Sequence, residues 1–187
     1  MDAPITPSIA TSLMMGVVTD TGAFRFTNVS GGTFDLASRL MNAGADLAQV
    51  VDQVYDQKSL SSLKLLEHAI RRLEIAGSVA ITALSRSDFQ AAGAGQGEAE
   101  GIIGYLRSLG GVDVAAVLRE VEPEEIRVSL RGRPGVNVAE IASLMGGGGH
   151  AAAAGCTLYL PLNEAIGHLR QVVTQAFAGS DTPGGAA

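Results

Sequence analysis

Four consecutive glycines, Gly146 to Gly149, followed by His150 and an alanine run, constrain this chain more than any other feature. Glycine loses more conformational freedom on folding than any other residue, so four together are a poor choice inside an ordinary element. Two readings follow. In the first, the backbone amides curve around an anion and a helical turn beginning near His150 adds its N-terminal dipole. The imidazole at the rim then donates to a phosphate oxygen. In the second, the run is a flexible hinge carrying a solvent-exposed histidine. The Walker pattern fails because no Gly-Lys-Ser/Thr follows. Gly146-x-Gly148-x-x-Ala151 matches a dinucleotide fingerprint only formally, since an expected helix precedes it instead of a strand.

The residues upstream narrow the choice. Ile126, Val128 and Leu130 alternate with Arg127, Ser129 and Arg131, the period of a half-buried strand. Ser129-Leu130-Arg131 ends that strand just before the helix expected at Val138 to Met145. Arg131 could therefore reach the same anion with a bidentate grip. Arg133, in a proline-containing turn, reads as solvated, and Arg107 as a weaker candidate for the same phosphate.

The chain changes texture near Ser78. Before it, Ile5 to Val18 reads as an apolar helix or strand arriving without partner elements, and Thr19 to Gly22 as a polar loop. Thr33 is the expected N-cap of a helix bearing Leu36, Ala37, Leu40 and Met41, which Gly44 stops. Asp46 caps a second helix with Leu47, Val50, Val51 and Val54. A third, from about Ser59 to Glu74, carries Leu63, Leu66, Ile70 and Leu73 and reads as a linker. After Ser78 the pattern is α/β. Strands are expected at Val79 to Leu84, Val112 to Leu118, Ile126 to Leu130 and Cys156 to Leu160. Helices are expected around Gln96 to Leu109 and Val138 to Met145. A last amphipathic helix carries Leu162, Ala165, Ile166, Leu169, Val172, Val173, Ala176 and Phe177, before a flexible tail, Ser180 to Ala187.

Composition limits the partners. The 187 residues are 47% hydrophobic and 17% charged, which suits a globular protein with one or two small domains. A net charge of −6 leaves few cations for tracking a long polyanion, so a nucleotide partner should be short and held at a few points. Aromatic content of 4%, with no Trp, argues against a base-stacking platform. The lone Cys156 cannot form an intramolecular disulfide and reads as a buried reduced thiol in a strand. With neither a signal peptide nor a run long enough to span a bilayer, a cytoplasmic location and no membrane partner are expected.

Several of these stretches together resemble a known family. Val128-Ser129-Leu130-Arg131, Asn137 to Ala142, Gly146 to His150 and Ala153-Ala154-Gly155 look like the DHHA1 domain. The likeness is to the nanoRNase/pAp-phosphatase branch of the DHH phosphoesterases in particular. Glu100 to Arg107 and Gly110-Gly111-Val112 fit the same pattern. Gly16 to Arg25, containing Thr19-Asp20-Thr21-Gly22, is similar to the last metal-binding motif of the DHH domain, and Ala43 to Asp46 continues it. The resemblance runs from about Pro7 to Phe177. It implies an α/β chain: residues 1–57 a remnant of the DHH domain, 58–76 the linker helix, and 77–179 a DHHA1 domain with a mixed sheet flanked by helices. Residues 180–187 would be the tail.

The resemblance further implies a manganese-dependent phosphoesterase acting on short oligoribonucleotides or pAp. Asp20 would be a manganese ligand and so a catalytic residue. His150, the Gly147, Gly148 and Gly149 amides, and Arg131 would hold the substrate phosphate, with Arg107 in support. The family's earlier motifs, a His/Asp/Asp cluster, a further Asp and the Asp-His-His triplet, do not appear. His68 and His168 lie in expected helices as surface residues. One carboxylate cannot hold a hard cation that wants about six ligands. The chain is therefore expected to be truncated and poorly hydrolytic, its apolar first segment covered by a homodimer or a domain swap. The alternatives are a non-catalytic DHHA1 module that binds nucleotide or nucleic acid, a cyclic or linear dinucleotide phosphodiesterase, and a RecJ-type exonuclease fragment.

Overall fold

A computed structural model describes residues 4–178 of the chain. The expected tail at Ser180 to Ala187 and the Phe177 side chain lie outside the described residues. The chain divides into two compact units, Met1–Ser59 and Leu60–Ala187.

The first unit is helical. Helix α1 (Pro7–Asp20) starts with Thr6 as N-cap, whose side chain accepts from the Ile9 amide, and with Pro7 in the first turn, where its missing N–H costs nothing. Ala10, Met14 and Val18, four residues apart, form its buried stripe, so the segment read as helix or strand is a helix. It also takes in Thr19 and Asp20, which were expected in the loop. Helix α2 (Gly31–Asn42) begins at Ser30, not at Thr33. Thr33 is the third helical residue and its hydroxyl accepts from the Ser30 amide at 3.1 Å, the return half of a capping box. Of the expected stripe, Leu40 is buried, but Leu36 and Met41 are exposed. Helix α3 (Leu47–Val51) is capped as expected by Asp46, whose Oδ1 accepts from the Gln49 amide at 2.9 Å. A π-helical turn, Asp52–Asp56, follows.

The second unit is built on a mixed sheet. Helix α4 (Leu60–Arg71) buries Leu65 and Ala69, whereas Leu63 and Ile70 of the expected stripe are exposed. Apolar residues lie on two sides of this helix, and the sheet took the other one. Strands β1 (Glu74–Ala76) and β2 (Val79–Leu84) form a hairpin, so most of the stretch read as a linker belongs to this unit's framework. A crossover through α5 (Arg86–Ala92), a 3-10 turn at Gln96–Ala99 and α6 (Ile102–Arg107) leads to β3 (Val114–Glu122), parallel to β2. Strand β4 (Glu125–Gly132), helix α7 (Val138–Leu144), strands β5 (Gly148–His150) and β6 (Ala153–Leu158) and helix α8 (Leu162–Ala178) complete the unit. The strand order is β1-β2-β3-β4-β6-β5, antiparallel except for β2 and β3. This is the expected mixed sheet flanked by helices.

Two cores form on the two faces. Val79, Ile81, Val114, Ala116, Leu118, Val128 and Leu130 pack with residues of α7 and α8. Ala80, Leu84, Ala115 and Val117 pack with residues of α4, α5 and α6. On the second face this core takes in β2 and, on β3, Ala115 and Val117.

A buried carboxylate locks α4 to α5. Asp88 is 3% exposed; its Oδ2 accepts from the Ser85 hydroxyl at 2.6 Å and amide at 2.7 Å and is paired with Arg72, while His68 Nδ1 lies 3.2 Å from Oδ1. Burial pushes this carboxyl upward, but the Ser85 bonds and then Arg72 outweigh it and hold Asp88 below the usual carboxylate range. His68, expected as a surface residue, is partly exposed and lies against this carboxylate, a partner 20 residues away in sequence. No helix among the described residues is long and apolar enough to cross a membrane.

Candidate functional site

The glycine run does not start a helical turn at His150. It ends α7 at Gly146 (φ +76) and continues as β5, the edge strand of the sheet. The reason is steric. A Cβ on Gly147 would stand 2.2 Å from the Gly155 carbonyl oxygen, and one on Gly149 would stand 2.6 Å from the Ala153 carbonyl oxygen. Two of the four glycines thus let β5 lie against β6. Gly148 differs: its Cβ would meet nothing within 4 Å, and its φ is one that any residue adopts. No packing constraint explains its missing side chain.

The turn between β5 and β6 is tied down from two sides. The Ala151 carbonyl accepts from the Val138 amide at 2.9 Å, and the Ala152 carbonyl accepts from the Gly132 amide at 3.1 Å. These bonds fix the register. Arg131 on β4 stands opposite Ala153 on β6, and Ala153 stands opposite His150 on β5. Residues in one such row point to one face of the sheet. Arg131 and His150 therefore flank Ala153, about 10 Å apart at two strand spacings. One row further, Ser129, Gly155 and Gly148 align, and beyond them Arg127 faces Thr157. Helix α6 approaches β4 on this face, but Arg127, Gly148, His150 and Thr157 are exposed.

The result is an open shelf with a nearly side-chain-free floor, rimmed by guanidinium and imidazole groups. Arg131 is half-buried and its Nη1 donates to the Leu130 carbonyl at 3.0 Å, which leaves most of its five N–H donors for a ligand. Arg133, expected to be solvated, donates through Nη2 to the Leu109 carbonyl at 3.0 Å and the Arg107 carbonyl at 3.4 Å. A cation at the end of α6 answers the carbonyls left unpaired there. It also draws the Arg107 backbone to the end of β4 that carries Arg131. Arg119 and Arg127, which the sequence did not single out, lie on the same face. The odd-numbered alternation along β4 was the available signal. Cys156 points to the opposite face and is half-buried rather than fully buried, and burial raises its thiol pKa.

Asp20 belongs to the other unit, as the last residue of α1. Behind it Gly22, Ala23 and Phe24 all have positive φ (56°, 57° and 61°), an unfavourable conformation for the two that are not glycine. This left-handed turn brings Asn28 back, so that its Nδ2 donates to the Asp20 carbonyl and to Oδ2, each at 3.1 Å. Thr21, buried under the turn, donates to the Val17 carbonyl and accepts from the Phe24 amide. Asp20 itself is exposed. Among the described residues no group of three or more His, Cys, Asp or Glu side chains could hold a metal ion.

With this geometry in view, the similarities to known proteins can be placed. A family model described as the DHHA1 domain matches residues 76–179. Over 172 residues the chain is 34% identical to the bifunctional oligoribonuclease and PAP phosphatase NrnA of Thermus thermophilus, spanning 91% of this chain and 51% of that protein. The protein of the same name from Mycoplasma genitalium is 30% identical over 154 residues, 82% of this chain and 48% of that one. The crystal structure of an exopolyphosphatase-related protein from Bacteroides fragilis is similar with a TM-score of 0.86 and 25% identity, over 91% of this chain and 51% of that chain. The chain spans about half the length of the curated relatives it matches.

Proposed function

The chain belongs to the DHHA1 domain family, and from that premise we propose that its open shelf holds the phosphate of a short oligoribonucleotide or of pAp, as the substrate-binding part of a phosphoesterase. The observation that carries this reading is the row Arg131–Ala153–His150, which sets two donors on either side of a methyl group. A guanidinium grips two phosphate oxygens in a plane and an imidazole N–H takes a third. The exposed backbone of Gly147, Gly148 and Gly149 lies beside them, with Arg107 at the rim in support. The names of the relatives, which join oligoribonuclease and PAP phosphatase activity, favour small phosphorylated nucleotides as the ligand.

Hydrolysis is a separate matter. By resemblance, Asp20 would ligate manganese, which in such sites supplies an activated water and charge for the developing anion. The described residues do not fit that role, since Asp20 offers one carboxylate already engaged by Asn28 and no cluster of ligands surrounds it. No bond-breaking step is assigned to this chain, and we read it as binding substrate without turning it over.

Titrating the chain with a 5′-phosphorylated diribonucleotide, with and without manganese, tests both parts. Saturable binding is expected, insensitive to manganese, and weakened roughly tenfold or more by Arg131→Gln and by His150→Ala. Binding that both substitutions leave unchanged would overturn the assignment of the shelf. Turnover that requires Asp20 would overturn the non-hydrolytic reading.

A further inference from the structure

Two arginines on the same face have no role in the site so far. Arg119 on β3 stands directly opposite Arg127 on β4. Like charges in that relation are unfavourable, and each is only loosely answered. Arg119 is half-buried and its Nη1 donates to the Gln96 carbonyl at 3.1 Å. Arg127 Nη2 lies 3.9 Å from Glu125 Oε1, an exposed pair of little energetic weight. Burial lowers the Arg119 pKa, Glu100 draws it back and Arg127 lowers it again. Of the other carboxylates nearby, Glu122 pairs with Arg86 at 3.0 Å and Glu120 accepts the Arg86 amide at 2.9 Å. The guanidinium is charged at any physiological pH, so two like charges stand opposite each other with Glu100 and Glu125 as their nearest answer.

Position makes the pair informative. Arg127 precedes Arg131 by four residues on one strand, which places the two about 13 Å apart on one face. Between them lies only the row Ser129–Gly155–Gly148, where no side chain exceeds a hydroxymethyl group. A ligand could cross this floor unobstructed.

We propose that Arg119 and Arg127 form a second anion subsite, which takes a phosphodiester of the same oligonucleotide about two nucleotides from the phosphate held at Arg131 and His150. The proposal rests on the phosphate assignment made above. It makes the shelf a measure of ligand length: a mononucleotide or pAp engages one subsite, and a chain of three or four nucleotides engages both.

Affinities of the full chain for 5′-phosphorylated oligoribonucleotides of one to five residues, without metal, test it. Wild type should gain roughly tenfold between the dinucleotide and the tetranucleotide. Arg127→Gln, at an exposed position, should abolish that step and leave mononucleotide affinity unchanged. Its salt dependence with the tetranucleotide should fall by about one counterion. Arg127→Lys should retain part of the step. Arg131→Gln should weaken every length alike. A length step that survives Arg127→Gln, or no step in wild type, overturns the second subsite while leaving the first intact. Arg131→Gln without effect at any length overturns the phosphate assignment instead, and the second subsite with it.

Discussion

The two halves of the sheet in the second unit obey different rules. In β2 all six residues are buried, because helices pack on both its faces and the strand is an apolar run interrupted only by Thr82. In β4 Ile126, Val128, Leu130 and Gly132 are buried, while Arg127 is exposed and Ser129 and Arg131 are half-buried on a face that the helices leave partly open. The covered half, which on β3 reaches as far as Val117 and stops before Arg119, is built to be stable. The open half gives up apolar burial on one side and uses that side for cations, an imidazole and a floor of small residues. Binding and stability should therefore respond to different substitutions.

The largest effect is expected from the covered half. Leu118, fully buried in β3, loses its packing in Leu118→Ala at a cost of about 2–5 kcal/mol. Urea unfolding should show the lowered midpoint, and diribonucleotide affinity of the remaining folded protein should match wild type. An affinity loss as large as the stability loss would mean that the two halves are not separable.

A smaller loss is expected at the clamp between α4 and α5. Asp88→Asn removes the charge that Arg72, His68 and the Ser85 donors answer, at a cost of about 1–3 kcal/mol near neutral pH. Because the folded state holds this carboxyl below its unfolded value, its contribution is present above about pH 4 and is lost as pH falls through the folded value. Unfolding midpoints of wild type and variant should therefore converge in acid. A gap that stays constant down to pH 2 would show that packing, not charge, accounts for the loss.

The sequence revealed the fold unevenly, and the reason is distance along the chain. Alternation in β4 and the apolar run of β2 are local patterns, and both were readable. Helix α4 was placed but its buried face was not: apolar residues occupy both sides, and only the sheet beneath decides for Leu65 and Ala69. The same limit hid the Asp88–His68 contact, whereas the cap was misplaced locally: Ser30 and Thr33 are both N-cap residue types, and Ser30 takes that place. In the site, Arg131 and His150 were readable from resemblance, but their adjacency depends on the register through Ala153, which no local pattern states. The glycine run was misread as the start of a helical turn because the backbone that demands it, Gly155 and Ala153, follows it and folds back.

Gly148 separates the two demands most finely, and the smallest stability change is expected there. Its neighbours Gly147 and Gly149 are required by contact with β6, so alanine at either should destabilise the hairpin whatever the ligand. At Gly148 a methyl group fits, the backbone conformation suits it, and the unfolded chain loses freedom. Gly148→Ala should leave stability unchanged or raise it by about 0.4–1 kcal/mol. Yet Gly148 shares a row with Ser129 and Gly155 on the floor of the shelf, so the added methyl group would stand where a phosphate or ribose approaches the backbone. Weaker diribonucleotide binding in a protein that unfolds no earlier than wild type would show that the ligand lies against this strand. Unchanged binding would move the ligand off the glycine backbone and leave the grip to Arg131 and His150 alone.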